Sequence, residues 1–475
     1  MRESTELWQL GGAAAAQGLR NREFSALELL ESVLARVDAL NPALNAIVED
    51  QREQGLARAR ALDELAARDE WAGALHGLPA TVKINVDQAG SATSNGLPAL
   101  ADTIVDADAP VVTNLRQAGA VIFGRSNAPE LSMRACTDNP LHGRTANPWD
   151  DEASPGGSSG GAGSAAAAGF GPIHHGNDIG GSLRFPSFCC GVSTVKPTLG
   201  RVPAYNPSAT TERGLLAQLM SVQGVICRHA ADLRLTLPEL FKGSPADPWW
   251  TPLPFGGWED DDKPPVGLTR ASYGYPIHDD VLAGLDRAAE ALTDAGYAVT
   301  EIDTPDMSLP ATGWLQIAVY ELRETLSEVV AAHGSETLKQ IFDWYYEMGP
   351  IADADGYLAG LANRTSYTRA WNQRLAEFPL ILSPYLMRPT FPWDYDSRSY
   401  ACVQDLFTSA IYSTGVNFLS LPAGVFPTGF AAGLPTGAQL IGQRFREDLI
   451  VTAMEAIEAR LGVLSHELWR REESP

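Results

Sequence analysis

Uninterrupted apolar runs of about 18 residues, the length a membrane-crossing helix needs, are absent from this 475-residue chain. Its first residues, MRESTELWQLGGAAAAQGLRNREF, hold no sustained apolar stretch of the secretory kind. Cysteine is scarce, with five in all: Cys136, Cys189, Cys190, Cys227 and Cys402. The number is odd and no C-x-x-C spacing occurs, which argues against a disulfide framework and against a zinc ribbon. A reduced, cytoplasmic setting is therefore expected. Basic charge is in deficit as well: 35 Lys and Arg stand against 58 Asp and Glu, a formal net charge of −23. That balance disfavours nucleic acid and an anionic membrane as partners. It names no substrate. The chain has no internal repeat and no low-complexity tail.

What is present is an ordinary folded composition, 45% hydrophobic and 20% charged. Residues 5–70 read as helical. Ser25 followed by Glu28 fits a capping box, and Leu29, Leu30, Val33, Leu34, Val37 and Leu40 form an apolar stripe. Asn41-Pro42 predicts the end of that helix. From residue 75 the texture changes. PATVKINV (79–86) and AVIFG (120–124) read as buried strands, with Gln117-Ala118-Gly119 closing a helix between them. Residues 242–263 are rich in Pro, Gly, Trp and acid and read as a long surface connection. PPVGLTR (264–270), an amphipathic helix near 279–295 and YAVTEID (297–303) form a strand–helix–strand unit. Residues 310–380 are helical and aromatic. FLSLPAG (418–424) and GLPTGAQLIG (433–442) return to strand texture, and a helix near 446–461 closes the chain. Strand–helix alternation implies an α/β sheet with helices on both faces.

Two glycine-serine clusters carry the chemistry. PGGSSGGAGS (155–164) lacks the Lys and Ser/Thr that end a phosphate-binding loop, and its order does not fit G-x-G-x-x-G. In HHGNDIGGSLRFP (174–186), adjacent His174 and His175 would point opposite ways on a strand, so they are poor joint metal ligands. Ser182, His174 and Asp178 are close in sequence, but the serine lacks the G-x-S-x-G elbow of a histidine triad. Successive amides around Ile179-Gly180-Gly181-Ser182 suit a developing oxyanion better. Ser182 would then need a base. Lys83 ends the apolar run Leu78–Val82. A strand-end lysine is ordinarily a surface residue; a buried one loses its proton readily and can serve as a neutral base.

Three stretches together, GLPATVKINVDQAG, PGGSSGGAGSAAAAG and NDIGGSLRFPSFCCGVSTVKPTLGRV, resemble the amidase signature family. SNAPELSM (126–133), RTANPWD (144–150) and the closing LPAG…GLPTGAQLIG extend the resemblance over most of the chain, while about 205–410 follows it only loosely. The resemblance implies one large α/β domain spanning 1–475, a mixed twisted β-sheet core covered by many α-helices. Within it, 1–70 would supply N-terminal helices, 75–205 the catalytic core, 206–410 a variable, substrate-side helical region and 411–475 a closing segment. It also implies a Ser-Ser-Lys triad: Ser182 as nucleophile, Ser158 as bridging serine in a cis peptide and Lys83 as base. The amides of Ile179, Gly180, Gly181 and Ser182 would form the oxyanion hole, with Ser159, Asp178 and Arg184 in support. No cofactor or metal is implied.

Asn177 departs from the Thr or Ser that many members carry before the aspartate. His175 and Asn177 therefore join Met133 and Trp314 as candidates for contacting substrate, although a histidine hydrogen-bonded near the site and aromatic residues packed in a core are the ordinary readings. Phe185, where the amidotransferase subunit of the family typically has glutamine, argues against that role. The expected partner is a small to medium hydrophobic or aryl amide, cleaved through an acyl-enzyme. Carbamate or ester hydrolysis by the same triad is one alternative, and service as the amidase subunit of a tRNA-dependent amidotransferase is another. A homodimer is left open.

Overall fold

Short runs of Val, Ile and Ala bounded by Gly, Pro and Asn become the strands of a single sheet. The computed structural model describes residues 6–256, 263–349 and 353–473. Its strands are β1 (Ile47–Asp50), β2 (Pro79–Lys83), β3 (Val121–Ser126), β4 (Ile173–Asp178), β5 (Ser193–Lys196) and β6 (Val222–Cys227). They continue with β7 (Val266–Leu268), β8 (Val299–Glu301), β9 (Leu380–Pro384), β10 (Ala423–Ala431) and β11 (Leu434–Gly442). The 11-stranded sheet runs β1-β3-β2-β4-β6-β5-β10-β11-β9-β7-β8. Strand β2 is parallel to both β3 and β4, and β7 to both β8 and β9, while β4/β6 and β10/β11 are antiparallel. The expected mixed α/β sheet is what the chain builds. Strands β2 and β3 are covered on both faces and read as continuous buried runs. The main core joins Val82, Phe123, Ile173, Val225 and Leu440 across the sheet to the helices packed on it.

Two features of this topology place the site. Because β2 and β4 are parallel, with Thr81 level with His174, their C-terminal ends emerge at the same edge. The helix Gly160–Ala168 lies wholly buried beside them. Its small residues are a steric requirement: a Cβ on Gly161 would sit 2.4 Å from the Asn127 amide nitrogen. The glycine-rich stretch is thus a close-packed helix entrance.

Several expectations need correction. The segment 5–70 is not all helix, since Ile47–Asp50 forms edge strand β1, antiparallel to β3. Four residues are too few to show a strand period. The preceding helix, Ala26–Leu44, runs on past Pro42. Proline there only forfeits a bond in the last turn, and the helix stops at Asn45 in the left-handed conformation, with Asn41 Oδ1 accepting from the amides of Ala46 and Ile47. Region 206–410 is helical over Ser308–Thr325, Ser327–His333, Glu336–Met348 and Ala354–Glu377, yet it also contributes strands β6 to β9. Phe418 and Leu419 still belong to the helix Ile411–Leu419, and a further helix, Ser465–Glu473, follows the one at Glu447–Leu461. Residues 242–256 of the surface connection carry no helix or strand; 257–262 lie outside the described residues.

No helix among the described residues is long and apolar enough to cross a membrane. All five cysteines are free. The capping box is formed: Ser25 Oγ accepts from the Glu28 amide at 3.1 Å, and Glu28 Oε2 accepts from the Ser25 amide at 2.8 Å. Ser25→Ala should lower unfolding free energy by about 1 kcal/mol in urea titration, with Ser25→Thr close to wild type; equal stability of the alanine variant would show that Asp63, which also accepts from the Ala26 and Leu27 amides, suffices.

Candidate active site

Strand β2 carries its lysine into the protein rather than out of it. Flanked by β3 and β4, Lys83 is fully buried. Its Nζ lies 2.7 Å from Ser158 Oγ and 2.9 Å from Asn177 Oδ1. Burial pushes its proton affinity well below the ordinary lysine value, and the charge of Asp178 opposes this only in part. A lysine so placed is neutral over a wide pH range and has a lone pair to offer a hydroxyl. The Gly157–Ser158 peptide is cis. Ser159 donates its amide to the Ser182 carbonyl at 3.2 Å, joining the two glycine-serine clusters directly. Ser182 Oγ has no hydrogen-bond partner among the described residues. It lines, with Ser158, a cavity of about 1320 Å³.

The turn that presents Ser182 is built on an ion pair. Asp178 and Arg184 are both buried and meet through two contacts of 3.1 Å. Burial raises the Asp178 carboxyl, but the charge and hydrogen bonds of Arg184, with help from Lys196 and Asn417, bring it down to about 2. Arg184 is held further by Gln439 Oε1 at 2.9 Å and the Ser413 carbonyl at 3.1 Å. The carbonyls of the turn face this scaffold. Ile179 O accepts from Trp314 Nε1 at 2.7 Å, Gly180 O from Ser413 Oγ at 2.8 Å and Gly181 O from the Phe185 amide at 2.6 Å. Planar peptides then turn the following amides the other way. One of the four amides expected for an oxyanion is already engaged: Gly181 N donates to Asp178 Oδ1 at 2.8 Å. The Gly180 and Ser182 amides, whose preceding carbonyls are held, and that of Ile179 are then the ones left for the expected oxyanion hole. Gly181 has φ 127°, and a Cβ there would meet Ser413 Oγ at 2.2 Å, so glycine is required.

Among the residues singled out for substrate, Met133, Asn177 and Trp314 line the cavity and His175 does not. His175 is buried beneath Lys83. Its Nδ1 lies 3.4 Å from the Lys83 amide nitrogen, and its Nε2 2.9 Å from Gln223 Oε1. His174 bonds Thr81 Oγ1 and the Gly171 carbonyl. Burial pushes both imidazoles down to about 3. Neither reaches Ser182, which removes the histidine triad. Sequence reasoning missed Asn85, whose amide pairs with that of Asn177, and Leu406 and Phe407, which form the cavity wall with Tyr345 of the aromatic helical stretch. Asn85 lies in the turn just after β2 ends at Lys83, so no strand period signalled it. The aromatic wall carried no such signal. Among the described residues no cluster of His, Cys, Asp and Glu could hold a metal ion.

Burying a neutral lysine leaves a mark on stability. Just below the ordinary lysine value the unfolded chain holds a proton that the folded chain has released, so stability falls as pH falls through that window and levels off below the lowered folded value. Lys83→Met should remove this dependence, making the urea-derived unfolding free energy flatter than wild type by about 1.4 kcal/mol per pH unit within the window. Parallel curves for the two proteins would show Lys83 charged in the folded state.

The Amidase family profile matches residues 28–451. An indoleacetamide hydrolase from Bradyrhizobium diazoefficiens is 43% identical over 464 residues, covering 98% of this chain and 88% of that protein. A glutamyl-tRNA(Gln) amidotransferase subunit from Moorella thermoacetica is 31% identical over 482 residues, covering 95% of this chain and 97% of its own. The solved 6-aminohexanoate cyclic dimer hydrolase, complexed with substrate, matches with a TM-score of 0.81 at 25% identity over 96% of this chain and 98% of that one. A lysine buried against a serine, beside a glycine turn that opens on a large cavity, therefore sits in a chain aligned along nearly its whole length with amide-cleaving enzymes: it belongs to the amidase signature family and is an amidase, hydrolysing amide C–N bonds.

Proposed function

We propose that the chain hydrolyses arylalkyl amides of the indoleacetamide type through an acyl-enzyme on Ser182. One observation carries this reading. The desolvated Lys83–Ser158 pair opens on a cavity whose aromatic wall is tied to the turn bearing Ser182. Trp314, anchored on the Ile179 carbonyl, lies 6.0 Å from Phe407 by ring centroids, and Phe407 lies 5.6 Å edge-on to Tyr345. An aryl group against that wall is held next to the nucleophile, and aromatic contacts contribute about 0.5–1.5 kcal/mol each beyond buried area. The name of the indoleacetamide hydrolase relative supports the same class of substrate.

The chemistry follows from the placement of the groups. Neutral Lys83 takes the hydroxyl proton of Ser158 as Ser158 Oγ takes that of Ser182. Ser182 Oγ bonds to the amide carbon, and the carbonyl π pair moves onto oxygen, where the amides of Ile179, Gly180 and Ser182 receive it. Collapse of this intermediate breaks the C–N bond. The proton on Lys83 returns through Ser158 to the leaving nitrogen, which departs as neutral ammonia or amine. Water, deprotonated by the same relay, then attacks the ester carbon and frees the acid.

Carbamates and esters pass through the same tetrahedral intermediate and belong in the same assay. Transamidation in a larger complex is disfavoured by Phe185, which lines the cavity and packs edge-on against Phe391 where a polar residue would serve glutamine.

The isolated chain should turn over indoleacetamide and phenylacetamide far faster than glutamine. Turnover of glutamine alone would overturn the proposal. Ser182→Ala should reduce turnover to background. Phe407→Ala should raise KM for the aryl amide about tenfold, equivalent to about 1.4 kcal/mol, while leaving acetamide unchanged; equal effects on both substrates would remove the aryl group from this wall.

A further inference from the structure

Among the described residues Lys83 Nζ has two hydrogen-bond partners, and only Ser158 belongs to the proposed proton relay. The other is Asn177 Oδ1, 2.9 Å away. Asn177 is itself clamped. Its Nδ2 donates to Asn85 Oδ1 at 2.9 Å, and its Oδ1 also accepts from Asn85 Nδ2 at 3.2 Å. Asn85 Nδ2 donates in turn to Ser132 Oγ at 3.0 Å, whose hydroxyl donates to Asn95 Oδ1 at 2.8 Å. In this arrangement Asn177 shows the lysine its carbonyl, and its NH2 group is engaged by Asn85 Oδ1.

We infer that Asn177, locked by Asn85, is a positioning residue that aims the lone pair of neutral Lys83 at Ser158 and sets the pH at which the base becomes available. A neutral amine has two N–H bonds and one lone pair. A carbonyl oxygen only accepts, so it takes an N–H and forbids the lone pair from facing it. Ser158 Oγ, 2.7 Å away, is then the group the lone pair can reach, since its O–H can donate. A flipped amide would present an NH2 group and compete for that lone pair. The carbonyl dipole also stabilises the protonated amine to a modest degree, offsetting some of the burial that drives the proton off. An amide does this without the full charge of a carboxylate, which would pin the proton on the lysine. Other groups near Lys83 are fixed: His175 is neutral and bonded to the Lys83 amide nitrogen and Gln223, and Asp178 is paired with Arg184.

The inference rests on the proposed triad, and the test separates the two. The pH dependence of kcat/KM for an aryl amide is measured for wild type, Ser182→Ala, Asn177→Asp and Asn177→Leu. Wild type should show an acid limb and Ser182→Ala no activity above background; a fully active Ser182→Ala enzyme would overturn the triad itself. Given the triad, Asn177→Asp should move the acid limb to higher pH, because a carboxylate favours the ammonium, and activity should return as pH rises. Asn177→Leu should move the limb to lower pH and reduce the plateau kcat by about 100-fold through loss of alignment, with KM nearly unchanged. Asn177→Asp is isosteric and carries the test alone if the leucine variant does not fold. An unmoved limb in Asn177→Asp with raised KM would make Asn177 a substrate contact, and limbs moving in the same direction in both variants would refute the electrostatic role; either result overturns the inference.

Discussion

The site depends on one desolvated amine. Lys83 sits at the end of a strand buried between two parallel neighbours, with serine and asparagine oxygens beside its nitrogen and no carboxylate within hydrogen-bond reach among the described residues. Parallel pairing of β2 with β3 and β4 keeps water out, and the Gly/Ala helix Gly160–Ala168 allows the Ser158 loop to come close. Widening either packing would let water or a counter-charge reach the amine, which would then keep its proton. The lowered proton affinity of Lys83 is therefore a property of the sheet.

The turn that presents Ser182, the proposed nucleophile, depends on a different electrostatic solution. Asp178 and Arg184 are buried as a pair, each with further hydrogen bonds, so the carboxylate stays charged deep inside the protein. Breaking such a pair leaves an uncompensated buried charge and costs about 3–5 kcal/mol. Here the carboxylate holds the Gly181 and Leu183 amides, while Trp314, Ser413 and Phe185 hold three successive carbonyls. The Gly180 and Ser182 amides that follow held carbonyls are thereby oriented before any substrate arrives, which in the proposed mechanism lets an oxyanion be met without reorganisation. Trp314 serves twice, fixing the turn by its indole N–H and offering its ring to the cavity.

Much of this was legible in the sequence, for physical reasons. The run Leu78–Val82 shows itself as a buried strand because apolar residues dominate it, although the strand ends at Lys83 and not at Val86; that PGGSSGGAGSAAAAG opens a close-packed helix at Gly160 came only with the structure. The pocket was not legible. Trp371, fully buried in a core, and Trp314, facing the cavity, both stand on helices of the same segment, and helical spacing cannot separate them. Tyr345 and Phe342 repeat the ambiguity within one helix. His175 looked like a pocket residue because it adjoins the turn in sequence, but the strand directs it beneath Lys83. The engagement of the Gly181 amide depends on where the Asp178 side chain folds back, which no spacing rule encodes. Asn177 stood out as a departure from pattern; its partner Asn85 came only with three-dimensional structure.

Everything the base does requires Lys83 to be neutral at the pH of catalysis, and lysine titration by nuclear magnetic resonance tests that most directly. The chain has few lysines, Lys83, Lys196, Lys242, Lys263 and Lys339, so 13Cε labelling gives a tractable spectrum that Lys83→Met assigns. Lys196, also buried and lowered to about 7, supplies an internal comparison. The Lys83 signal should titrate well below the 10.5 of an ordinary lysine. A Lys83 signal that titrates together with the surface lysines would contradict a neutral base.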